Sequence, residues 1–374
     1  MSHPVRATIA FLLICVLTGT GLAAEPDHLV FRFATVGDSR AEPGDAQLSA
    51  QDTIWLQSTR VLSRMVREIQ AQHPQALVFN GDMIYGYSGD HAVLDRQYAF
   101  WRGMVAHLFE TGTYVLPVPG NHEVQIKIPN SRGEYVKQAV VSSEQAWRAN
   151  MGDLILNVPL WQEITRSRPQ AWSVDHAPLV GSDGITSDQR QLSYSFDMGD
   201  VHLVVINTDP VGFDASAPVT WLAADFSAAR ARGMKHIFVF GHKMAFTYTP
   251  EGLQTKLEGG FDVRGPLRDA FWDLIEANQA TYFCGHQHVY HASQPRKASG
   301  GSAWQVIVGS GGSPLTTKAK DTKNPADRMY AWADVTVYQS GRAHVAVHGF
   351  DESFGPTRVI EEWDISAGSR RQAK

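Results

Sequence analysis

Cysteine is nearly absent from this chain. Its 374 residues hold two, Cys15 and Cys284. Cys15 sits in an N-terminal apolar run, so a chain that loses the run keeps one thiol and forms no internal disulfide. A cysteine-rich zinc site is excluded too, because it needs several thiolates. Cys284 ends the apolar stretch ATYFC and reads as a buried small hydrophobe rather than a ligand or nucleophile. Basic charge is not in excess either. The formal net charge is −5, so there is no nucleic-acid footprint. Long apolar runs are missing except at residues 7–19, ATIAFLLICVLTG, which is short for a membrane span. Arg6 precedes that run, and the small residues Gly21, Ala23 and Ala24 follow it, as in a secretory signal. We expect residues 1–24 to be a cleaved leader and residues 25–374 a single domain, exported to a periplasmic or secreted location. No stable membrane span is expected after cleavage.

What the chain does have is a recurring unit: a short apolar run followed by a polar loop containing glycine. LVFRFATV leads into GDSR, ALVF into NGDMIY, YVLPV into PGNHE, KHIFVF into GHK, and ATYFC into GHQHVYH. Each reads as a buried strand and a turn. Helical spacing links Val61, Leu62, Met65 and Ile69. It also links Leu222, Phe226 and Ala229, and Leu267, Phe271, Leu274 and Ile275. Strands alternating with helices predict an α/β core. Residues 192–196 and 201–207 read as a hairpin. WQVIVGS, ADVTVY, AHVAVHGF and TRVIEEW add strands, so a second sheet is expected. Residues 124–132 read as a flexible rim and residues 316–328 as an exposed loop.

The ionisable residues gather where the apolar runs end. Asp38, Asp82, Asn121, His122, His242, His286 and His288 all follow directly. Ligands of α/β sheets bind beyond the carboxyl ends of strands. Carboxylate, amide oxygen and imidazole together suit iron, zinc or manganese. His286 and His288, two apart on a strand-like exit, would point to one side and serve one metal each. A bridging carboxylate would hold such a pair roughly 3.5–4 Å apart.

The five segments GDSR, GDMIY, GNHE, VFGH and GHQH, in this order, resemble the signature of the calcineurin-like metallophosphoesterases. GDMIY ending in Tyr, VFGH, and the stretch YSFDMGDVHLVVINTD are similar to the purple acid phosphatase branch. The resemblance implies an α/β fold, a four-layer α/β/β/α sandwich of two packed mixed sheets flanked by helices. It implies two metal ions. Asp38, Asp82, Tyr85 and His288 would hold the first, and Asn121, His242 and His286 the second, with Asp82 bridging. Tyr85 favours Fe(III) at the first site, with Fe, Zn or Mn at the second. A phosphorylated small molecule would be hydrolysed by attack of hydroxide, with His122 protonating or stabilising the leaving oxygen. Phosphomonoesters are the expected substrates; a phosphodiesterase or nucleotidase, or a catalytically weak binding protein on the same scaffold, are the alternatives. Arg40 stands where many relatives have a ligating His. It cannot ligate but can contact a phosphate oxygen. Glu123 is read as orienting His122, and Lys243 and His291 stay open between substrate contact and ordinary rim residues.

Overall fold

The computed structural model describes residues 27–45, 48–251, 253, 259–318 and 322–367. The expected leader lies outside them. After β1 (Leu29–Val36) the chain forms α1 (Ala50–Trp55) and α2 (Thr59–Ala71), then β2 (Ala76–Phe79), α3 (His91–Glu110) and β3 (Tyr114–Pro117). One turn of helix, α4 (Asn121–Val124), enters the hairpin of β4 (Gln125–Pro129) and β5 (Tyr135–Ala139). Helices α5 (Val141–Met151) and α6 (Val158–Thr165) follow. The second half runs β6 (Tyr194–Met198), β7 (Val201–Val205), α7 (Val219–Ala231), β8 (His236–Phe240), α8 (Gly265–Ala277), β9 (Thr281–Cys284), β10 (Tyr290–Ser293) and β11 (Gln305–Val308). Three long strands close it: β12 (Met329–Tyr338), β13 (Arg342–Asp351) and β14 (Arg358–Ser366).

Two six-stranded mixed sheets result, in the orders β14-β13-β12-β1-β2-β3 and β10-β11-β9-β8-β7-β6. Alternation along β1 explains how they stack. Phe33 points to the other sheet, its ring 5.1, 5.5 and 6.0 Å from those of Phe238, Phe240 and Phe283, edge to face. Arg32 points the opposite way, to Gln72 at the end of α2. On the far side of the second sheet, Val239, Tyr282 and Cys284 pack with Leu222 and Phe226 of α7 and Phe271 and Ile275 of α8. The layers are thus helix, sheet, sheet, helix. Cys284 is fully buried, as its apolar setting suggests.

The structure changes two expectations. The last three strands do not build the second sheet. They extend the first, through the antiparallel pairing of β12 with β1. Residues 124–132 are no loose rim. They form the first strand and the start of the turn of the β4–β5 hairpin, which is paired in register from Gln125↔Ala139 to Pro129↔Tyr135. Within the stretch read as an exposed loop, Thr317 and Asp327 are buried, and the Thr317 hydroxyl donates to the Asp327 carbonyl at 2.9 Å.

Candidate metal centre

Five strand ends deliver the site: β1 runs into Asp38, β2 into Asp82, β3 into Asn121, β8 into His242, and β9 into His286 and His288. Within each sheet these strands run parallel, β1 with β2 and β3, and β8 with β9, so their carboxyl ends lie at one edge of each sheet. The loops turn sharply there. Asp38, Asp82 and His286 adopt φ of 63°, 52° and 67°, the left-handed region disfavoured for residues bearing a Cβ. Such strain collects at functional sites. Gly285 lets the chains approach, since a Cβ there would lie 2.2 Å from Asp38 Oδ2.

Two overlapping clusters form. The ligand atoms of Asp82, His242 and His286 lie within 4.8 Å of one another, as do those of Asp38, Asp82 and His288. Asp82 belongs to both. The strand-like exit expected for the two histidines is replaced by a bend, with His286 left-handed, yet each imidazole still goes to a different cluster. Asn121 joins the first, its Oδ1 3.0 Å from both His242 Nε2 and His286 Nδ1.

The hydrogen bonds fix where the lone pairs point. His242 Nδ1 donates to the Asn80 carbonyl at 2.8 Å, and His288 Nδ1 donates to the Pro314 carbonyl at 2.7 Å. Each Nε2 therefore turns a lone pair on a carboxylate: His242 on Asp82 Oδ1 at 3.1 Å, His288 on Asp38 Oδ1 at 3.6 Å. Acceptor facing acceptor needs a proton or a metal between them. Asp38 Oδ1 is buried without a hydrogen-bond partner. An orphaned carboxylate oxygen beside an imidazole lone pair fits a metal ion.

Without metal, a proton takes that place. Burial opposes charge on His242, but Asp82 and Asp38 outweigh it and raise the imidazole to about 10. Burial, reinforced by Asp82, drives the Asp38 carboxyl well above its ordinary range. A raised pKa means the proton is held below that value, so His242 is charged near pH 7 and must discharge to ligate. Zinc titration by calorimetry in buffers of differing ionisation enthalpy is expected to report at least one proton released per protein near neutrality, declining toward pH 10. No release would remove His242 from the ligand set.

Arg40 lies over the second cluster, almost buried. Its Nε is 3.5 Å from Asp82 Oδ2 and its Nη2 3.4 Å from His288 Nε2, while Nη1 pairs with Glu42. Burial and this guanidinium lower the His288 imidazole to about 3. His122 is buried with Nε2 3.6 Å from Asp82 Oδ2, and its Nδ1 donates to the Tyr85 carbonyl. Burial and Arg40 hold it well below the usual imidazole range, so it is neutral at rest. Tyr85 is placed differently from the ligands. Its hydroxyl accepts from Lys127 Nζ at 3.1 Å. It is Tyr87 that lines the cavity, with its hydroxyl on Asn121 Nδ2. The cavity holds about 340 Å³ and is lined by Arg40, Asp82, Asn121, His122, His286 and His288, with Lys127 and Lys137 at its rim.

The model of the calcineurin-like phosphoesterase family matches residues 31–290. The chain belongs to that family. No curated protein sequence matches it. Among solved structures, a purple acid phosphatase from yellow lupin (Lupinus luteus) seeds is 13% identical, covering 90% of this chain and 53% of its own, with a TM-score of 0.51. The chain thus spans about half the length of the lupin enzyme. A dimetal phosphatase of Danio rerio is 13% identical over 91% of this chain and 100% of its own, at a TM-score of 0.43. GAP50 of Plasmodium, the anchor in the inner membrane complex, is 10% identical over 92% of this chain and 91% of its own, at 0.49. At such identities the likeness speaks for the fold alone. Among the described residues no helix is long and apolar enough to cross a membrane.

Several residues of this calcineurin-like phosphoesterase take places that the sequence did not foretell. Glu123 does not orient His122. Its buried carboxylate accepts from the backbone N–H groups of Asp82, Met83, Ile84 and Gly120 at 2.8–3.1 Å. Lys243 is buried in an ion pair with Asp209 at 2.8 Å and with Asp214. Gln125, at the hairpin base, donates to the same two carboxylates at 3.1 Å each. His291 stacks on Tyr248 at 3.7 Å, away from the cavity lining. The hairpin carries one legible signal: Asn130 to Glu134 closes a turn with Gly133 at φ 75° between two five-residue strands.

Proposed function

We propose that this phosphoesterase is an exported hydrolase of phosphate monoesters, with Asp38, Asp82 and His288 holding one metal ion and Asp82, Asn121, His242 and His286 the other. The observation that carries this reading is the pair of buried clusters sharing Asp82, with Asp38 Oδ1 orphaned beside His288 in one of them. When bound, the metals supply charge neutralisation and an activated water. Arg40 is set to take a phosphoryl oxygen beside them. His122 keeps Nδ1 on the Tyr85 carbonyl and has Nε2 open toward Asp82 and the cavity. Being neutral at rest, it would take a proton at Nε2 from water in the cavity and deliver it to the departing oxygen. The cationic rim of Arg40, Lys127 and Lys137 suits a monoester dianion better than a diester, which carries one charge less.

Ferric iron at the Asp38 site calls for the Tyr85 phenolate, which must turn from Lys127 to reach it. Metal analysis with a visible spectrum tests this together with hydrolysis of phenyl phosphate and diphenyl phosphate. Two metals per chain and turnover of the monoester are the expected result. A phenolate-to-iron absorption band that is lost in Tyr85→Phe and kept in Tyr87→Phe establishes Tyr85 as a ligand. A colourless, active protein with two zinc or manganese ions removes Tyr85 and leaves the hydrolase standing; metal-loaded protein that cleaves neither ester ends the reading.

A further inference from the structure

The β4–β5 hairpin places two lysines on the rim of the cavity, beyond the groups that face the reacting phosphoryl. Lys127 and Lys137 are directly opposite in the register. Like charges opposed across a two-stranded ribbon repel, and an anion between them relieves the repulsion. Both ammonium groups lie over one ring, that of Tyr87, at 4.6 and 5.2 Å from its centroid. The hydroxyl of that ring meets Asn121. The lysines are thus set about one phenol ring from a proposed ligand, on the rim of the same cavity. Arg40 already faces Asp82 and His288, so the lysines are additional to the group that meets the reacting phosphoryl.

The hairpin is also held in place. Tyr87 bridges to Ile126, and its N–H donates to the His122 carbonyl at 3.2 Å. On the other side Gln125 is tied to Asp209 and Asp214, which grip Lys243, the residue after His242. The two lysines are therefore positioned by the strand ends that carry the clusters, with little reorganisation left for binding.

We propose that Lys127 and Lys137 form a subsite for a second anionic group, a carboxylate or phosphate on the leaving side of the substrate. This rests on the phosphomonoesterase reading and names its substrate class: phosphoesters bearing another anion about one ring's length from the scissile phosphorus. The test compares phenyl phosphate with 4-carboxyphenyl phosphate and 1,4-phenylene bisphosphate. Either doubly anionic ester should show kcat/KM at least about tenfold above phenyl phosphate, mostly through KM, as a charge-assisted contact provides. The larger gain shows which anion is preferred. In the Lys127→Met, Lys137→Met double variant that ratio should fall to within about twofold of one, while Lys127→Arg, Lys137→Arg should retain it. A ratio near one in the unaltered protein, or one unchanged by the methionine pair, overturns the proposal. If the loaded protein cleaves none of the esters, the phosphoesterase reading fails separately. The subsite is then read by calorimetric binding of 4-carboxyphenylphosphonate against phenylphosphonate. Tighter binding of the former, lost in the methionine variant, sustains the subsite, and equal binding ends it.

Discussion

Asp82→Asn should abolish most activity while leaving the fold intact. Asp82 is the residue common to both clusters, and the substitution keeps its shape but removes its charge. Its two oxygens serve different groups: Oδ1 faces His242 at 3.1 Å and accepts from the His122 N–H at 3.2 Å, and Oδ2 faces Arg40 and His122. An amide can keep the His122 N–H bond and the backbone bond to Glu123, so local structure survives. It bridges two cations poorly. Metal charge stabilisation is worth several kcal/mol, so losing it should lower kcat/KM by roughly a thousandfold or more. Metal content should fall by at least one ion per chain, and the His242 imidazole, freed from a neighbouring carboxylate, should titrate below its present value of about 10. Metal analysis, kinetics and melting of the metal-free protein check this. Unchanged metal content with full activity would sink the shared-carboxylate site.

The parts legible from sequence are those set by local pattern. β1 and β2 coincide with the runs LVFRFATV and ALVF because strands covered on both faces are nearly continuous in apolar residues. The ligand positions follow, since glycine-containing loops after such strands leave few places for Asp38, Asp82 or His286 to go. Sheet membership is another matter. Alternation says that residues 333–338 form a strand, but not that they pair with residues 29–35, some three hundred positions earlier. The β4–β5 hairpin escaped notice because Tyr135 to Gln138 are all exposed and give no apolar period. The two tyrosines, Tyr85 and Tyr87, differ by a backbone turn: Tyr87 takes φ of 52°, and its hydroxyl reaches Asn121. No spacing rule foretells that turn. Glu123 shows the same limit, because the segment GNHE names a carboxylate but not the groups it will accept from.

Those groups make Glu123 the strongest structural prediction. It is fully buried and receives four backbone N–H groups, from the Asp82 loop and from Gly120. Burial, with Asp82 adding, pushes its carboxyl up to about 7, while the N–H donors pull the other way. Glu123→Ala removes every acceptor at once. Each orphaned buried donor costs about 1–3 kcal/mol, so even with water entering, the loss should reach about 4 kcal/mol, a large share of the roughly 5–15 kcal/mol that folded domains have. The metal-free protein should melt some 8 °C lower or more, taking about 2 °C per kcal/mol for a chain of this size. Metal affinity should drop by about tenfold to a hundredfold, because the loop that presents Asp82 is no longer held. Glu123→Gln keeps one oxygen but turns an amide N–H₂ on backbone donors, so it should fall between the two. Activity and stability then move together across the series. A Glu123→Gln protein that melts like the parent but has lost turnover would assign Glu123 to the chemistry instead of the scaffold.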